Sequence, residues 1–518
     1  MKGLINQSYT ANYLRIYLMQ ALSVLVGFAS VFVVVPNISS DPSIYGIYSV
    51  CTSITIFLSY ADLGFLGAGV KFAAEYYARD ERNKELGVIG FTHFIFLIVV
   101  ILISLVFLIL SYNPSWLIKD ITGVQESGIA HRLLFILAVF SPIVVIQRMM
   151  QIVFSIRLQE YKVQRVITLG NVFKILSVFV FFNKERYDIV GYYLTFNIIN
   201  FLVAIINVVQ AKFLLGIDIR DIFKSLRFSK DIYNKVKSLA FSTFIGSFLW
   251  IVFYELDTIV IGRVMGAQAV AIYAVGLTLL SFIRSFLGIF FSPFSARFNH
   301  FIGLGQVNEL KSFFFFVQQL LFFISVIPLL TLSLFSEEFV MAWLGIDYTN
   351  SIPIISLLAL CNLLAFVQYP TGNLLVAKQN IKAIYMTNII PPIIYWLGII
   401  ITVSHLGVLS FAVFKCAAFM ILGIIYIYYS IKFLEISLWS YFRKVIVPYL
   451  PAILVVIIIC ILCKGSIHFS QGLENLVLFA VLIGCIFVLA LLISLLFVKP
   501  LRDYLIKLLK LFRNNDIQ

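Results

Sequence analysis

Four basic residues, Arg148, Lys174, Arg284 and Lys415, stand inside long runs of Ile, Leu, Val and Phe. A cation at the centre of a bilayer costs at least ~2.5–3.5 kcal/mol on insertion scales when it faces lipid. Such groups therefore pair internally or face a water-filled chamber, and a chamber walled by guanidinium and ammonium groups attracts anions. Arg15, near the start of the first apolar run, and Lys71, at the end of the second, join the set, whereas Arg132 lies close to a run end and can snorkel to the interface. Acids are fewer: Asp62, Glu255 and Asp257. A carboxylate in a low-dielectric cavity can carry a proton, or with main-chain carbonyls hold Na⁺, so these three are the candidates for ion coupling. The plainer alternative is local. Each base then pairs an acid or caps a helix, and Glu255 and Asp257 pair with Arg263.

The apolar runs that must position these charges number about fourteen. They lie near 13–35, 44–73, 88–111, 131–153, 166–183, 189–211, 239–262, 269–293, 313–335, 353–376, 385–404, 408–431, 446–463 and 475–498. Each is close to the ~20 residues that a helix needs to cross about 30 Å of hydrocarbon. The chain is 62% hydrophobic and 12% charged, with a mean hydropathy of +1.03, more apolar surface than a water-soluble core can hide. The expected fold is all-α, a polytopic membrane protein. The first run is too long for a signal-peptide core and lacks a small-residue cleavage site after it, so it is expected to be retained. No connection is long enough for a separate soluble domain, and the longest, 212–238, is a charged linker.

The net charge of +14 could suggest a nucleic-acid partner, but its distribution argues for topology instead. With the N-terminus inside, most of the 38 Lys and Arg fall on cytoplasmic segments, and the outer loops hold Lys119, Lys184, Arg186, Arg263 and Lys464. That asymmetry places both termini in the cytoplasm. The tail from Lys499 to Arg513 reads as an interfacial amphipathic helix, with Leu and Ile at helical spacing. Cys460 and Cys463 form a C-x-x-C, yet it sits among Ile, Leu and Val without a His or acidic partner, and the five histidines show no ligand spacing. Neither metal nor cofactor is expected. There is no G-x-x-x-x-G-K-[ST], so no nucleotide is expected either, and there is no TVGYG-like filter.

The chain resembles itself at a spacing of about 220–225 residues. Ile44-Tyr45-Gly46-Ile47-Tyr48-Ser49-Val50 matches Ala269-Val270-Ala271-Ile272-Tyr273-Ala274-Val275, and Gln159-Glu160-Tyr161-Lys162 matches Gln379-Asn380-Ile381-Lys382. Two matches in register with the span count give two parallel six-helix repeats. The expected organisation is an N-terminal lobe (1–211), a linker (212–238), a C-terminal lobe (239–431) and two appended spans with the tail (432–518). Parallel repeats about the membrane normal are a transporter design that rocks one half against the other. Gly64, Gly67 and Gly69, and Pro142, Pro328, Pro370, Pro391 and Pro392, are the places where spans could bend.

Several segments together resemble the polysaccharide-repeat-unit (Wzx-like) flippases of the multidrug/oligosaccharidyl-lipid/polysaccharide exporter superfamily. They are Val35-Pro36 with Tyr45-Gly46-Ile47-Tyr48-Ser49 and Ala61-Asp62-Leu63-Gly64, then Glu255-Leu256-Asp257-Thr258-Ile259-Val260-Ile261-Gly262 through Gly266 to Tyr273-Ala274, and Glu338-Phe339 with Trp343-Leu344-Gly345. The resemblance runs from about residue 10 to 435, and a 6 + 6 + 2, MATE-like plan of spans fits it. It implies translocation of an undecaprenyl-pyrophosphate-linked oligosaccharide across the bacterial inner membrane, for O-antigen or capsule, by alternating access through a cationic cavity. An H⁺ or Na⁺ gradient or the membrane potential would drive it. Related flippases line the cavity with bases on spans one, two and eight; Arg15 and Arg284 match by position, Lys71 less well. The expected cargo-binding set is Arg284, then Arg148, Lys174, Arg15 and Lys415. A lipid II flippase is barely separable from this reading by sequence. An ion-coupled multidrug antiporter should favour acids over bases in its cavity, the reverse of what stands here. A membrane polymerase or glycosyltransferase needs catalytic residues on a sizeable outer loop, and the loop at 36–44 offers only Asp41.

Overall fold

The structure is a computed structural model that describes residues 2–121, 123–183, 185–378, 380–464, 469–498 and 501–503. The amphipathic helix expected over Lys499–Arg513 lies almost wholly outside them. Among the described residues, twelve helices are long and apolar enough to cross a bilayer, and two bent pairs complete the expected fourteen. The pairs are Val124–Phe140 with Ile143–Ser155, bent by 44°, and Ile346–Leu360 with Ala365–Ala377, bent by 45°. Helix is the natural answer to this composition, because lipid offers the main chain no partners and every N–H must find a carbonyl within its own segment. Large apolar side chains such as Leu102, Ile109, Ile401 and Leu462 are exposed on the outer surface. That is the face hydrocarbon accepts and water does not.

The chain divides into two compact units, Met1–Ala274 and Val275–Gln518. The first contains α1 (Lys2–Ile38), α2 (Pro42–Ser53), α3 (Ile56–Ser59), α4 (Phe65–Ala78), α5 (Arg82–Tyr112), α6 (Val124–Phe140), α7 (Ile143–Ser155), α8 (Glu160–Phe181), α9 (Ile189–Leu215), α10 (Ile219–Ser225), α11 (Lys230–Tyr254) and α12 (Asp257–Met265). Here α1 packs on α8, α5 on α4 and α6, and α9 on α6, α7 and α8. Helix α11 packs on α4 through Ala68, Val236 and Ala240, flanked by Phe65, Phe72 and Ile232. The second apolar run is interrupted between α3 and α4. There Asp62 Oδ2 accepts the Leu66 N–H at 3.2 Å, closing the open end of α4. Gly64 sits in the left-handed region at φ 78°, beneath the Ala240 carbonyl, where a β-carbon would come within 2.2 Å of that oxygen.

Helix α13 (Ala267–Gly303) carries the chain into the second unit. It is followed by α14 (Val307–Leu334), α15 (Ser336–Trp343), α16 (Ile352–Leu360), α17 (Ala365–Ala377), α18 (Ile381–Leu406), α19 (Leu409–Leu434), α20 (Leu438–Val445), α21 (Leu450–Cys463) and α22 (Leu473–Phe497). Helix α14 packs on α16, α17, α21 and α22, and is tied to its surroundings by polar groups rather than by apolar contact alone. Gln318 Nε2 donates to Ser430 Oγ at 3.0 Å, Gln319 Nε2 to the Lys444 carbonyl at 2.9 Å, and the Tyr449 hydroxyl to the Gln319 carbonyl at 2.6 Å. Lipid tails give helices no hydrophobic reason to associate, so such bonds and close packing hold a bundle together. Of the prolines singled out above, Pro142 alone marks a bend. Pro328, Pro370, Pro391 and Pro392 lie inside continuous helices, and the second bend falls over 361–364.

Candidate functional site

The bend at Pro142 has an identifiable cause and consequence. Proline lacks an N–H, so the carbonyl four residues back, that of Ala138, loses its helical partner. The Ser104 hydroxyl of α5 donates to it instead. Next to the bend the Ser141 hydroxyl donates to the Leu137 carbonyl at 2.5 Å. On the second run Thr52 Oγ1 donates to the Tyr48 carbonyl at 2.8 Å and Thr55 Oγ1 to that of Thr52 at 2.6 Å. Hydroxyls bonding back to the preceding turn commonly accompany helix bends.

Between these two interrupted spans and α9 lies a cavity of about 300 Å³. Helices α2 and α3 contribute Tyr48, Thr52, Thr55 and Ser59, and the α6–α7 bend contributes Phe140, Ser141 and Gln147. Helix α9 adds Tyr193, Phe196, Asn197 and Asn200. None of the lining residues carries a charge. Lys174, on α8, stands directly behind the wall. Its Nζ donates to Asn200 Oδ1 at 2.7 Å and to Asn171 Oδ1 at 3.2 Å, and lies 4.0 Å from the centre of the Phe196 ring. Gln147 Nε2 donates to the Asn200 carbonyl at 3.1 Å, so Asn200 is held from both sides. Among the described residues no carboxylate lies within 4 Å of the Lys174 ammonium, which therefore rests on neutral amides and a ring face.

The remaining candidates fall in distinct places. Arg148 follows Gln147 on α7, donates to Gln151 Oε1 at 3.4 Å and is an electrostatic neighbour of Asp62. Arg15 is exposed and reaches the Tyr161 hydroxyl at 3.4 Å, with its guanidinium 5.7 Å from that ring's centre. In the second unit, Arg284 lies on α13, where its main-chain carbonyl accepts the Tyr369 hydroxyl at 3.0 Å. Lys415, on α19, is wholly buried, with its ammonium 5.2 Å from the centre of the Tyr395 ring. The structure thus places Arg148 and Lys174 on helices around one cavity of the first unit, with Asp62, in the turn between α3 and α4, an electrostatic neighbour of Arg148. Arg284 and Lys415 stand on different helices of the second.

The acids at the end of α11 also resolve. Asp257 is wholly buried; its Oδ2 accepts the Tyr273 hydroxyl at 2.6 Å and its Oδ1 the Thr258 N–H at 3.0 Å. Glu255 is half-buried at the turn between α11 and α12. Arg263, expected as a partner for both, instead donates to the Ser115 carbonyl at 3.0 Å. Tyr273→Phe is expected to destabilise the first unit by about 1.5–3 kcal/mol, because it takes a hydrogen bond from a buried carboxylate. Thermal unfolding of the purified chain measures this, and an unchanged midpoint would refute it.

One ion pair was not anticipated from the sequence. Arg157 Nη2 meets Glu85 Oε1 at 2.7 Å, with side chains only 9% and 2% exposed. Arg157 also donates to the Val153 carbonyl at 2.9 Å and lies 4.5 Å from the centre of the Tyr77 ring, joining the ends of α4, α5 and α7.

No protein-family model matches the sequence. The chain is 24% identical over 248 residues to the teichuronic acid biosynthesis protein TuaB of Bacillus subtilis (strain 168), a match covering 46% of this chain and 50% of that protein. The chain thus spans about half the length of the curated relative it matches. Among solved structures, the lipid II flippase MurJ in an inward closed conformation superposes with a TM-score of 0.68 at 14% identity, covering 96% of this chain and 100% of MurJ. An inward-facing multidrug resistance MATE family transporter of the MOP superfamily superposes with a TM-score of 0.62 at 13% identity, covering 80% and 95%. The resemblance drawn from the sequence motifs is borne out: this multi-pass membrane protein has the fold of the multidrug/oligosaccharidyl-lipid/polysaccharide exporter superfamily.

Proposed function

We propose that the chain is a flippase that moves an undecaprenyl-pyrophosphate-linked oligosaccharide from the inner to the outer leaflet of the bacterial cytoplasmic membrane. The observation that carries the reading is a polar cavity inside a bundle whose outer surface is hydrocarbon-like, built where two spans are interrupted. Non-helical main chain at membrane depth is tolerated where it lines a cavity, and transporters place their binding sites at such breaks. The likeness to a polysaccharide-biosynthesis protein and to a lipid II flippase fold supports a cargo of this kind.

In this reading the prenyl tail stays in lipid while the headgroup crosses through the protein. Arg284, Arg148, Arg15 and Lys415 are the candidate holders of the pyrophosphate, which needs cations in place of its water, while Lys174, the other base proposed from the sequence, has its ammonium engaged by Asn171 and Asn200 behind the cavity wall. Both termini lie in the cytoplasm. An inside-negative membrane potential helps outward movement of the cargo, by about 2.3 kcal/mol per negative charge at 100 mV. An H⁺ or Na⁺ gradient would act through Asp62, Glu255 or Asp257.

The test is transbilayer movement of a fluorescent undecaprenyl-pyrophosphate oligosaccharide in vesicles containing the purified chain. Wild type is expected to expose the lipid to an external quencher, and Arg148→Gln with Arg284→Gln is expected to abolish this at normal protein levels. Unimpaired movement by the double variant would remove these bases from the mechanism; product formation without movement would point to an enzyme. The MurJ likeness over 96% of the chain supports a second reading, with lipid II as cargo. Loss of peptidoglycan rather than of surface polysaccharide on deletion would favour it.

A further inference from the structure

We infer that the cavity in the first unit takes one uncharged sugar residue of the cargo, apart from the groups that hold its pyrophosphate. This rests on the flippase reading above. At about 300 Å³ the space is at the lower end of the ~300–1,000 Å³ typical of small-molecule sites, which suits a single pyranose ring.

The chemistry of the wall selects the ligand. Thr52, Thr55 and Ser141 each give their only hydroxyl proton to a main-chain carbonyl, so their oxygens have only lone pairs left to offer. Asn197 and Gln147 each direct one of their two amide N–H groups to a carbonyl, keeping an acceptor oxygen and a second N–H. A wall of hydroxyl and amide groups with no charged lining residue gives a phosphate no cation to stand in for its water. It would attract a metal cation, but no carboxylate lines the cavity and the Lys174 ammonium is only 2.7 Å from Asn200 Oδ1, on the wall itself. What remains is a neutral molecule with many hydroxyls, each able to donate and to accept. The aromatic residues supply the complementary surface. Tyr48 and Tyr193 meet edge to face at 5.8 Å and Tyr193 stacks with Phe196 at 6.2 Å, giving flat apolar area for the C–H faces of a sugar ring. Lys174 acts here as a positioning residue that fixes Asn200 and Phe196 from behind.

The experiment compares binding of two probes to the full chain in lipid nanodiscs: bare undecaprenyl pyrophosphate, and the same lipid bearing one glucosyl, galactosyl or N-acetylglucosaminyl residue. Wild type is expected to bind at least one sugar-bearing lipid about tenfold tighter than the bare one. Asn197→Leu combined with Gln147→Leu is expected to erase that difference and leave bare-lipid affinity within twofold. If that variant misfolds, Thr52→Val, which keeps the side chain's shape, is expected to reduce the difference at least threefold. The inference is overturned, with the flippase reading intact, if wild type binds bare and sugar-bearing lipids equally or the variants weaken both alike. Failure of wild type to bind either lipid would overturn the flippase reading itself.

Discussion

Arg157→Met is expected to destabilise the first unit by about 3–5 kcal/mol, because it strands the Glu85 carboxylate without its partner. The pair is 2.7 Å apart and both side chains are nearly inaccessible, so water cannot substitute for the lost guanidinium. The same change removes the donor to the Val153 carbonyl and the cation over the Tyr77 ring. Adding Glu85→Gln is expected to restore much of the loss, since an apolar residue beside a neutral amide leaves no buried charge behind. The exposed pair Lys84–Glu81, 2.9 Å apart with side chains 64% and 35% accessible, provides the contrast. Lys84→Ala is expected to change stability by under about 1 kcal/mol. Thermal unfolding of the three variants in one detergent decides the matter. A single Arg157→Met variant as stable as Lys84→Ala would show that the pair is not a fastening.

Gly46→Val is expected to be at least as damaging, for a steric reason. A β-carbon on Gly46 would fall 1.9 Å from the carbonyl oxygen of Ala267. The obstacle is main chain, so no rotamer change relieves it, and α2 must separate from the start of α13. Overpacking of this kind costs about 1–3 kcal/mol in forgiving sites and more where the neighbour cannot yield. Gly27 is the control, with nothing within 4 Å of its would-be β-carbon. Gly27→Ala is expected to be neutral or to stabilise α1 by up to about 1 kcal/mol. Fluorescence-detected size exclusion of tagged variants measures this, and a monodisperse Gly46→Val peak of wild-type height would contradict the close approach.

The span plan was legible because hydrocarbon compatibility is written in every residue of a helix, and averaging over twenty positions leaves little room for error. The interruptions were less visible. Pro142 stands at a bend while Pro328, Pro391 and Pro392 lie in continuous helices, so a proline in the sequence does not by itself mark an interruption. The cavity wall escaped the sequence reading for another reason. Attention to charge finds Lys174 and Arg148, yet the lining is Thr, Ser, Asn and Gln, which are unremarked in ordinary membrane helices. The available signal was Asn197 and Asn200, three residues apart on one helix face, with Gln147 beside Arg148. Glu85 and Arg157 were passed over because each lies near a run end, where charge is cheap. The motifs that carried the family resemblance turn out to include close approaches: Gly46 under Ala267, Gly64 under Ala240, and Gly262 against Val50.

Pro142 also sets where the first unit is compliant. At the bend the rungs are Ser141 N–H to the Leu137 carbonyl at 2.9 Å, Val144 N–H to that of Ser141 at 3.1 Å and Val145 N–H to that of Pro142 at 3.2 Å, and proline adds none of its own. The Ser104 hydroxyl contact to Ala138 adds about 0.5–1.5 kcal/mol to what holds the two arms at this angle. The pocket wall is thus fastened at its corner by three-residue rungs and one borrowed hydroxyl, while the arms on either side keep four-residue ladders.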